Sequence, residues 1–148
     1  MTVKKNQRSA SFVAFLSLTT LGIYPIMWMG QTWSELKREL GDDSMRPFWH
    51  ALSVLVPIYG LFRIHAHFRT INIALSRTDS RTEVNPGTVI KAVIVSAVAG
   101  NFASGIAPEL GVIALIVQLI VTAVAVSHGQ SGMNAYWECK AIPETAAI

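Results

Sequence analysis

Two neighbouring apolar stretches decide the fold of this chain: TVIKAVIVSAVAGNFASGIA at 88–107 and LGVIALIVQLIVTAVAVS at 110–127. Each is close to the roughly 20 residues of helix that cross a hydrocarbon layer. A membrane β-barrel would need alternating polar and apolar residues, whereas positions 112–117 are all apolar. We therefore predict two membrane helices that pack as a hairpin over 88–128.

The composition points to the same environment. Of the 148 residues, 51% are hydrophobic and only 14% are charged, against roughly 25% charged in an average soluble domain. The mean hydropathy is +0.42. This excludes a disordered chain and argues against a soluble enzyme. The single cysteine, Cys139, excludes an intramolecular disulfide and a thiolate metal cluster.

Two further apolar blocks precede the hairpin, at Ala10 to Gly30 and Pro47 to Phe62. Each is followed by a stretch with helical periodicity, Gln31 to Leu40 and Ile64 to Arg77, which predicts an amphipathic extension. The predicted fold class is therefore all-α. We expect a single polytopic membrane domain over 1–148, with four apolar helices and two amphipathic helical extensions.

The first half of the chain also looks duplicated. Ile23 to Trp28 aligns with Ile58 to Arg63 at an offset of 35 residues, which suggests two broken-helix units at 10–41 and 47–77. Each unit contains a Gly and a Pro that would kink or unwind its helix. These predicted helix breaks are Gly22, Pro25, Pro57 and Gly60.

Basic residues predict the orientation. With four crossings, nine Lys and Arg lie on the side of both termini and three lie opposite, namely Lys37, Arg38 and Arg46. The positive-inside rule then places both termini in the cytoplasm. A rival topology folds the first two apolar blocks as re-entrant hairpins, which would bring every basic loop to one side.

The third apolar block carries small residues at every fourth position: Ala92, Ser96, Gly100 and Ser104. Such a stripe lets two helix backbones approach closely in lipid. The favoured partner is the fourth helix, with the first two helices or another subunit as alternatives. Asn101 and Gln118 are the intramembrane polar residues, and we expect them to hydrogen-bond to each other.

No catalytic, metal-binding or cofactor-binding residue is predicted. His65 and His128 are interpreted as interfacial histidines, with haem or pigment ligation left open. Gly129 is expected to cap the last helix, with 129–148 as a tail. The Gly129 to Gly132 stretch has the spacing of an intramembrane serine protease motif, but it lacks that motif's helical context.

Thr20-Leu21-Gly22-Ile23-Tyr24, with Trp28, resembles the T-x-G-I-Y-x-x-x-W signature of a bacterial family of small membrane proteins of unknown function. The Pro57 to Leu61 run is also similar to a later feature of that family. The resemblance implies a bacterial membrane location and contributes no catalytic residue. Pro25 stands where the family is expected to have a small residue.

Together these features predict a multi-pass protein of the bacterial cytoplasmic (inner) membrane. We expect a non-enzymatic structural or accessory subunit that contacts the lipid bilayer and either a membrane-protein partner or a second copy of itself. The alternative is a small oligomeric transporter or channel with a polar step at Asn101 and Gln118. The basic residues lie between apolar blocks, so no nucleic-acid partner is expected.

Overall fold

The computed structural model describes residues 7–56 and 58–145, with side chains described as far as Ala141. Over these residues the chain is helical, without a β-strand, which confirms the predicted all-α class. A short 3-10 segment, Ser53–Leu55, follows the third helix. The helices are α1 (Ala10–Thr19), α2 (Ile23–Leu40), α3 (Pro47–Leu52), α4 (Tyr59–Leu75), α5 (Pro86–Ile106) and α6 (Pro108–Thr145).

The expectation of four full-length apolar helices is wrong. Among the described residues, only α5 and α6 are both long and apolar enough to cross a membrane. The first block is interrupted after ten residues of α1, and the second is divided between α3, the 3-10 segment and the start of α4. Both interruptions reverse the direction of the chain, so each block forms a helical hairpin.

The first reversal occurs between α1 and α2. Leu21 and Gly22 both have left-handed backbone angles, with φ of +50° and +90°. α1 begins beside the end of α6, where the Arg8 backbone bonds the Asn134 side chain, and Gly22 reaches the level of Leu119. α2 then returns along α6, because Trp28 bonds Gln130. The first apolar block is therefore a hairpin with its tip pointing away from both termini.

The second reversal has the same sense. Ile58, at the start of α4, has a φ of +64°. α3 descends along α2, with Ala51 against Gly30. α4 rises parallel to α6, since Phe68 lies against Gly129 and Ile71 against Gly132. α2 and α4 end at Leu40 and Leu75, which are 35 residues apart, the same offset that aligns the two sequences.

This arrangement brings the ends of both hairpins to the side of the termini. Glu39, near the end of α2, is paired with Lys140 of α6, and Arg8 is paired with Glu35. The expected placement of Lys37, Arg38 and Arg46 opposite the other basic residues is therefore wrong. At the opposite end of the molecule lies the turn between α5 and α6.

Local sequence signals set several helix ends. Gly41 ends α2 in a left-handed conformation with φ of +66°. Asn85 caps α5 by accepting a hydrogen bond from the Thr88 backbone N–H, and Pro86 occupies the first helical position. The expected end of the last helix at Gly129 is wrong, since α6 continues to Thr145 and the expected tail from 129 is helical over its described part.

Two regions differ in packing. We call residues 7–9, 28–46, 64–89 and 126–141 the head, and residues 10–27, 47–63 and 90–125 the foot. Among the side chains that the structure describes, the head holds 14 of the 17 buried hydrophobic residues, whereas the foot holds 27 of the 28 large hydrophobic residues that are exposed. The foot has three charged residues, Arg63, Lys91 and Glu109.

Candidate functional site

A close helix contact in the foot joins α5 to α6 through small side chains. A Cβ added at Gly100 would lie 3.1 Å from the Cβ of Ala114, and one added at Gly111 would lie 3.0 Å from the Ser104 hydroxyl. The Ser96 hydroxyl donates to Gln118 Oε1 at 2.6 Å. Three of the four predicted stripe residues therefore face α6, where their small side chains let the two backbones approach closely.

Ala92, the fourth residue of the stripe, lies on the exposed surface of α5. The contact with α6 is thus made by the distal part of the stripe, from Ser96 to Ser104.

One surface of the α5–α6 pair forms an open groove of about 260 Å³. Its floor is made of small residues, and polar side chains stand along it. The lining residues are Ser96, Ala97, Gly100, Asn101, Ser104, Gly111, Ala114, Leu115 and Gln118.

The expected hydrogen bond between Asn101 and Gln118 is not formed. Gln118 accepts from Ser96, and the Asn101 amide donates to the Ala97 carbonyl of its own helix at 2.8 Å. Asn101 is exposed on the groove, about 10 Å from Pro108 by helix rise. An exposed amide at this depth is costly in hydrocarbon unless another polar group meets it.

The predicted break residues have different structural roles. Gly22 lies in the first reversal, and its φ of +90° favours glycine. Pro25 lies in the first turn of α2, where the missing N–H costs nothing, so it is not itself a break. Gly60 lies in the first turn of α4, where an added Cβ would clash with the Val54 carbonyl at 2.3 Å. Pro57 lies outside the described residues.

A second polar constellation lies in the head, where the chain start meets α2 and α6. The Arg8 guanidinium forms an ion pair with the buried carboxylate of Glu35. The Arg8 backbone N–H donates to Asn134 Oδ1 at 3.2 Å, and Asn134 Nδ2 donates to the Arg8 carbonyl at 2.7 Å. This pairing fixes the start of α1 against α6.

The network continues into the core through Gln130. Gln130 Nε2 donates to Asn134 Oδ1 at 2.8 Å, and the Trp28 indole N–H donates to Gln130 Oε1 at 2.7 Å. Both Trp28 and Gln130 are almost completely buried. A buried amide is stable only when its donors and acceptors are bonded, so this chain of bonds specifies how α2 packs on α6.

Burial raises the pKa of the Glu35 carboxyl, and the positive charge of Arg8 opposes that rise. The desolvation of the carboxylate thus outweighs its attraction to the guanidinium.

His67 of α4 bonds to α2 at Thr32, which is the aligned position in the other of the two duplicated units, 10–41 and 47–77. Its Nε2 atom and the Thr32 hydroxyl share a hydrogen bond of 3.0 Å, and Thr32 precedes His67 by 35 residues. Burial lowers the pKa of the His67 imidazole to about 3, and the nearby His50 acts in the same direction. His67 is therefore neutral at physiological pH and serves as a core residue.

The sequence patterns missed this role of His67. The periodicity of α4 put it on the polar side, yet its side chain is fully buried between the aromatic rings of Trp28 and Trp33. The alignment of the two units held the available signal, because it pairs His67 with Thr32.

Two glycines of α6 allow the head to close. A Cβ added at Gly129 would lie 2.6 Å from Cη2 of Trp28, and one added at Gly132 would lie 2.5 Å from Cγ2 of Val84. Ser131, between them, is exposed, and its hydroxyl donates to the Ser127 carbonyl. The protease-like spacing thus belongs to a packing surface within a continuous helix.

His65 and His128 are both exposed. His128 borders a cavity of about 380 Å³ between α1 and α6. In the described part of the chain, no three His, Cys, Asp or Glu side chains come close enough to hold a metal ion. The interpretation of both as interfacial histidines stays a prediction, with haem or pigment ligation as its open alternative.

Comparison of the chain with protein-family models, with curated proteins and with solved structures gives no match.

Proposed function

We propose that the protein is an integral membrane protein in which α5 and α6 cross the bilayer and the two hairpins enter it from the head side. The apolar exposure of the foot carries this proposal. Only 6% of the most apolar part of α5, and 11% of that of α6, is buried within the chain. Helices at the core of a soluble protein are mostly buried, so lipid is the surrounding that fits these surfaces.

The proposed orientation is that of a bacterial cytoplasmic membrane protein with both termini in the cytoplasm. All ten described Lys and Arg residues lie between the level of the hairpin tips and the head end. The turn at the opposite end carries Glu109. This asymmetry is larger than a four-crossing arrangement would give, and it follows the positive-inside rule. We also propose membership of the bacterial family that the Thr20 to Trp28 stretch resembles.

Within the membrane we propose a non-enzymatic structural role, exerted by association through the α5–α6 groove. The occupant that fits best is a second copy of this chain. Two copies inserted in the same orientation carry Asn101 at the same depth, and a carboxamide is self-complementary because it both donates and accepts. A twofold pair would therefore satisfy in lipid the amide that one copy exposes.

The bonding of the groove residues does not support the transporter alternative. Its polar step required Asn101 and Gln118 together, whereas Gln118 is bound by Ser96. Solute and proton paths also favour ionisable groups in mid-membrane. Lys91 and Glu109 lie near the starts of α5 and α6, so neither is a mid-membrane group in the described part of these helices.

Cysteine cross-linking tests the association. In a Cys139→Ala background, Asn101→Cys in membranes should give a disulfide-linked dimer under mild oxidation. Phe102→Cys is the matched control, because it lies at nearly the same depth, is 75% exposed and points about 100° away around the helix. A monomer in both variants, or cross-links from position 101 to a different protein alone, would refute the second-copy proposal.

A further inference from the structure

The two halves of the proposed membrane region have very different cross-sections. Counting 1.5 Å per residue along α6 from Pro108, the level of Leu119 lies about 16 Å from the far turn and that of His128 lies about 30 Å from it. Gly22 reaches the level of Leu119. Because a hydrocarbon core is about 30 Å thick, the hairpin tips stop near its midplane.

The second hairpin reaches the same depth. Phe68 lies against Gly129, and Ile58 precedes Phe68 by ten residues of a helix that runs parallel to α6. Ile58 therefore also lies near the level of Leu119. The leaflet on the head side thus holds parts of six helices, and the far leaflet holds those of α5 and α6.

The parts of the two hairpins nearest their tips carry no charge that would hold them at the surface. Residues 9–34 and 47–62 contain no Lys, Arg, Asp or Glu. Arg63 stands one turn above the second tip, with its guanidinium stacked 4.9 Å from the Tyr59 ring centre. The aromatic ring stabilises the cation at this position.

The two hairpin tips combine exposed apolar side chains with strained backbone conformations. Leu21 and Ile58 both have positive φ, where Gly or Asn is favoured and a β-branched residue is rare. They are also 74% and 73% exposed. Large apolar residues that stay mostly exposed in a strained conformation indicate a role for the side chain outside the chain itself.

We infer that the protein is a membrane wedge that prefers, and promotes, curvature in which the head-side leaflet is convex. This inference rests on the proposed membrane insertion. Three times as many helical segments occupy the head-side leaflet as the far leaflet. Bending that expands the head-side leaflet relieves the mismatch, so the protein should concentrate on strongly curved membranes.

The preference can be measured on single vesicles of mixed diameter made from phosphatidylethanolamine and phosphatidylglycerol. The full-length protein is reconstituted at low density and labelled at its native Cys139 with a membrane-impermeant dye, so that only heads on the outer surface are counted. We expect the protein per unit membrane area to rise at least about twofold from vesicles ~200 nm across to those ~50 nm across.

A tip variant, Leu21→Asn with Ile58→Asn, separates insertion of the hairpins from the fold. Asn accepts positive φ, so the head should keep its thermal stability in detergent, while the polar tips should resist the hydrocarbon. We expect the variant to stay in the vesicles through α5 and α6 but to lose most of the dependence on diameter. Leu21→Met with Ile58→Met is the apolar control and should retain it.

The outcomes distinguish failure of the wedge proposal from failure of the proposed membrane insertion. Wild-type protein that resists alkaline carbonate extraction but has the same density at every diameter would overturn the wedge and leave the proposed function intact. Equal curvature dependence in the Asn and Met variants would also overturn the wedge. Protein that carbonate removes from the vesicles would overturn the proposed membrane insertion, and the wedge with it.

Discussion

The head and the foot of this molecule are packed in opposite ways, although α2, α4, α5 and α6 run through both. In the head, α2, α4 and α6 enclose large side chains such as Trp28, Ile71 and Met133, which have no exposed surface. In the foot, α5 and α6 touch each other through small residues and direct their large side chains outward. The head is packed like the core of a water-soluble protein, whereas most large side chains of the foot do not pack within the chain and face its surroundings.

The difference also governs how polar groups are handled. In the head, the buried side chains of Gln130 and Glu35 and the partly buried Asn134 are connected through Arg8 in one network that joins three parts of the chain. In the foot, the Asn101 amide and the Ser104 hydroxyl donate to backbone carbonyls of their own helix. Ser96 donates one hydrogen bond across to Gln118. Tertiary specificity thus resides in the head, and the foot contributes an apolar surface with one polar groove.

The sharpest test of this contrast is to add the same bulk to both regions. Gly129→Leu should reduce the thermal stability in detergent most, by about 3 kcal/mol, because its side chain would overlap the Trp28 and Phe68 rings. Gly105→Leu is the matched change in the foot, where an added Cβ meets no atom within 4 Å. It should be neutral or slightly stabilising, since leucine favours helix more than glycine does.

The contrast would fail if the two leucine variants melted at the same temperature. Equal losses would mean that the foot is as tightly packed as the head.

Buried amides provide the next comparison. Gln130→Leu would leave the buried Trp28 N–H without its acceptor, at a cost of about 1 to 3 kcal/mol. Gln118→Leu should cost only about 0.6 kcal/mol, because Ser96 keeps a bond to the Val93 carbonyl and such bonds contribute little in lipid. Melting curves of the two variants in one detergent would check the order. A larger loss at Gln118 would reverse our assignment of the two regions.

Acidification should weaken the head through His67. Its pKa is about 3 in the folded chain, below the ordinary value of 6.5, so the unfolded chain binds a proton first as the pH falls. The stabilisation is complete above about pH 6.5 and is lost toward pH 3, by at most about 1.4 kcal/mol per pH unit. The raised pKa of Glu35 acts in the opposite sense, since its contribution is lost as the pH rises.

Melting temperatures measured across this pH range would isolate the histidine. His67→Phe should flatten the acid limb whatever its effect at neutral pH, whereas His65→Phe, at an exposed position, should leave the slope unchanged. An unaltered slope in the His67 variant would show that its ionisation is not linked to folding.

A smaller loss than that at Gly129 is expected at the α5–α6 contact of the foot. Gly100→Leu should separate α5 from α6 and cost about 1 kcal/mol, because even a Cβ at this position would lie 3.1 Å from that of Ala114. Val98→Leu, on a 64% exposed position, should be close to neutral. Thermal aggregation in detergent measures both. Indistinguishable curves would count against the small-residue contact.

The sequence predicted those features that depend on neighbouring residues. The α5–α6 hairpin, the caps at Gly41 and Asn85 and the breaks near Gly22 all follow from local composition or turn chemistry. The direction that the chain takes after each break does not, because a kink and a full reversal begin with the same residues. Four crossings were therefore predicted where the chain has two long apolar helices and two hairpins.

The hydrogen-bond network of the head could not be predicted from the sequence for a related reason. Arg8 and Asn134 are separated by 126 positions along the chain, and no spacing rule connects them. The pairing of Arg8 with Glu35 likewise depends on the reversal at Gly22. Only the unusual amide pair of Gln130 and Asn134, one helical turn apart, marked part of the network in the sequence.

Cysteine accessibility in intact cells tests the central claim most directly. In a Cys139→Ala background, single cysteines replace Asp43, Asp79 and Glu109, which are all exposed. A membrane-impermeant maleimide should label the cysteine at 109 in intact cells, and those at 43 and 79 only after permeabilisation. Labelling at 43 in intact cells would contradict the half-depth hairpins, because it would place the loop after α2 on the far side of the membrane.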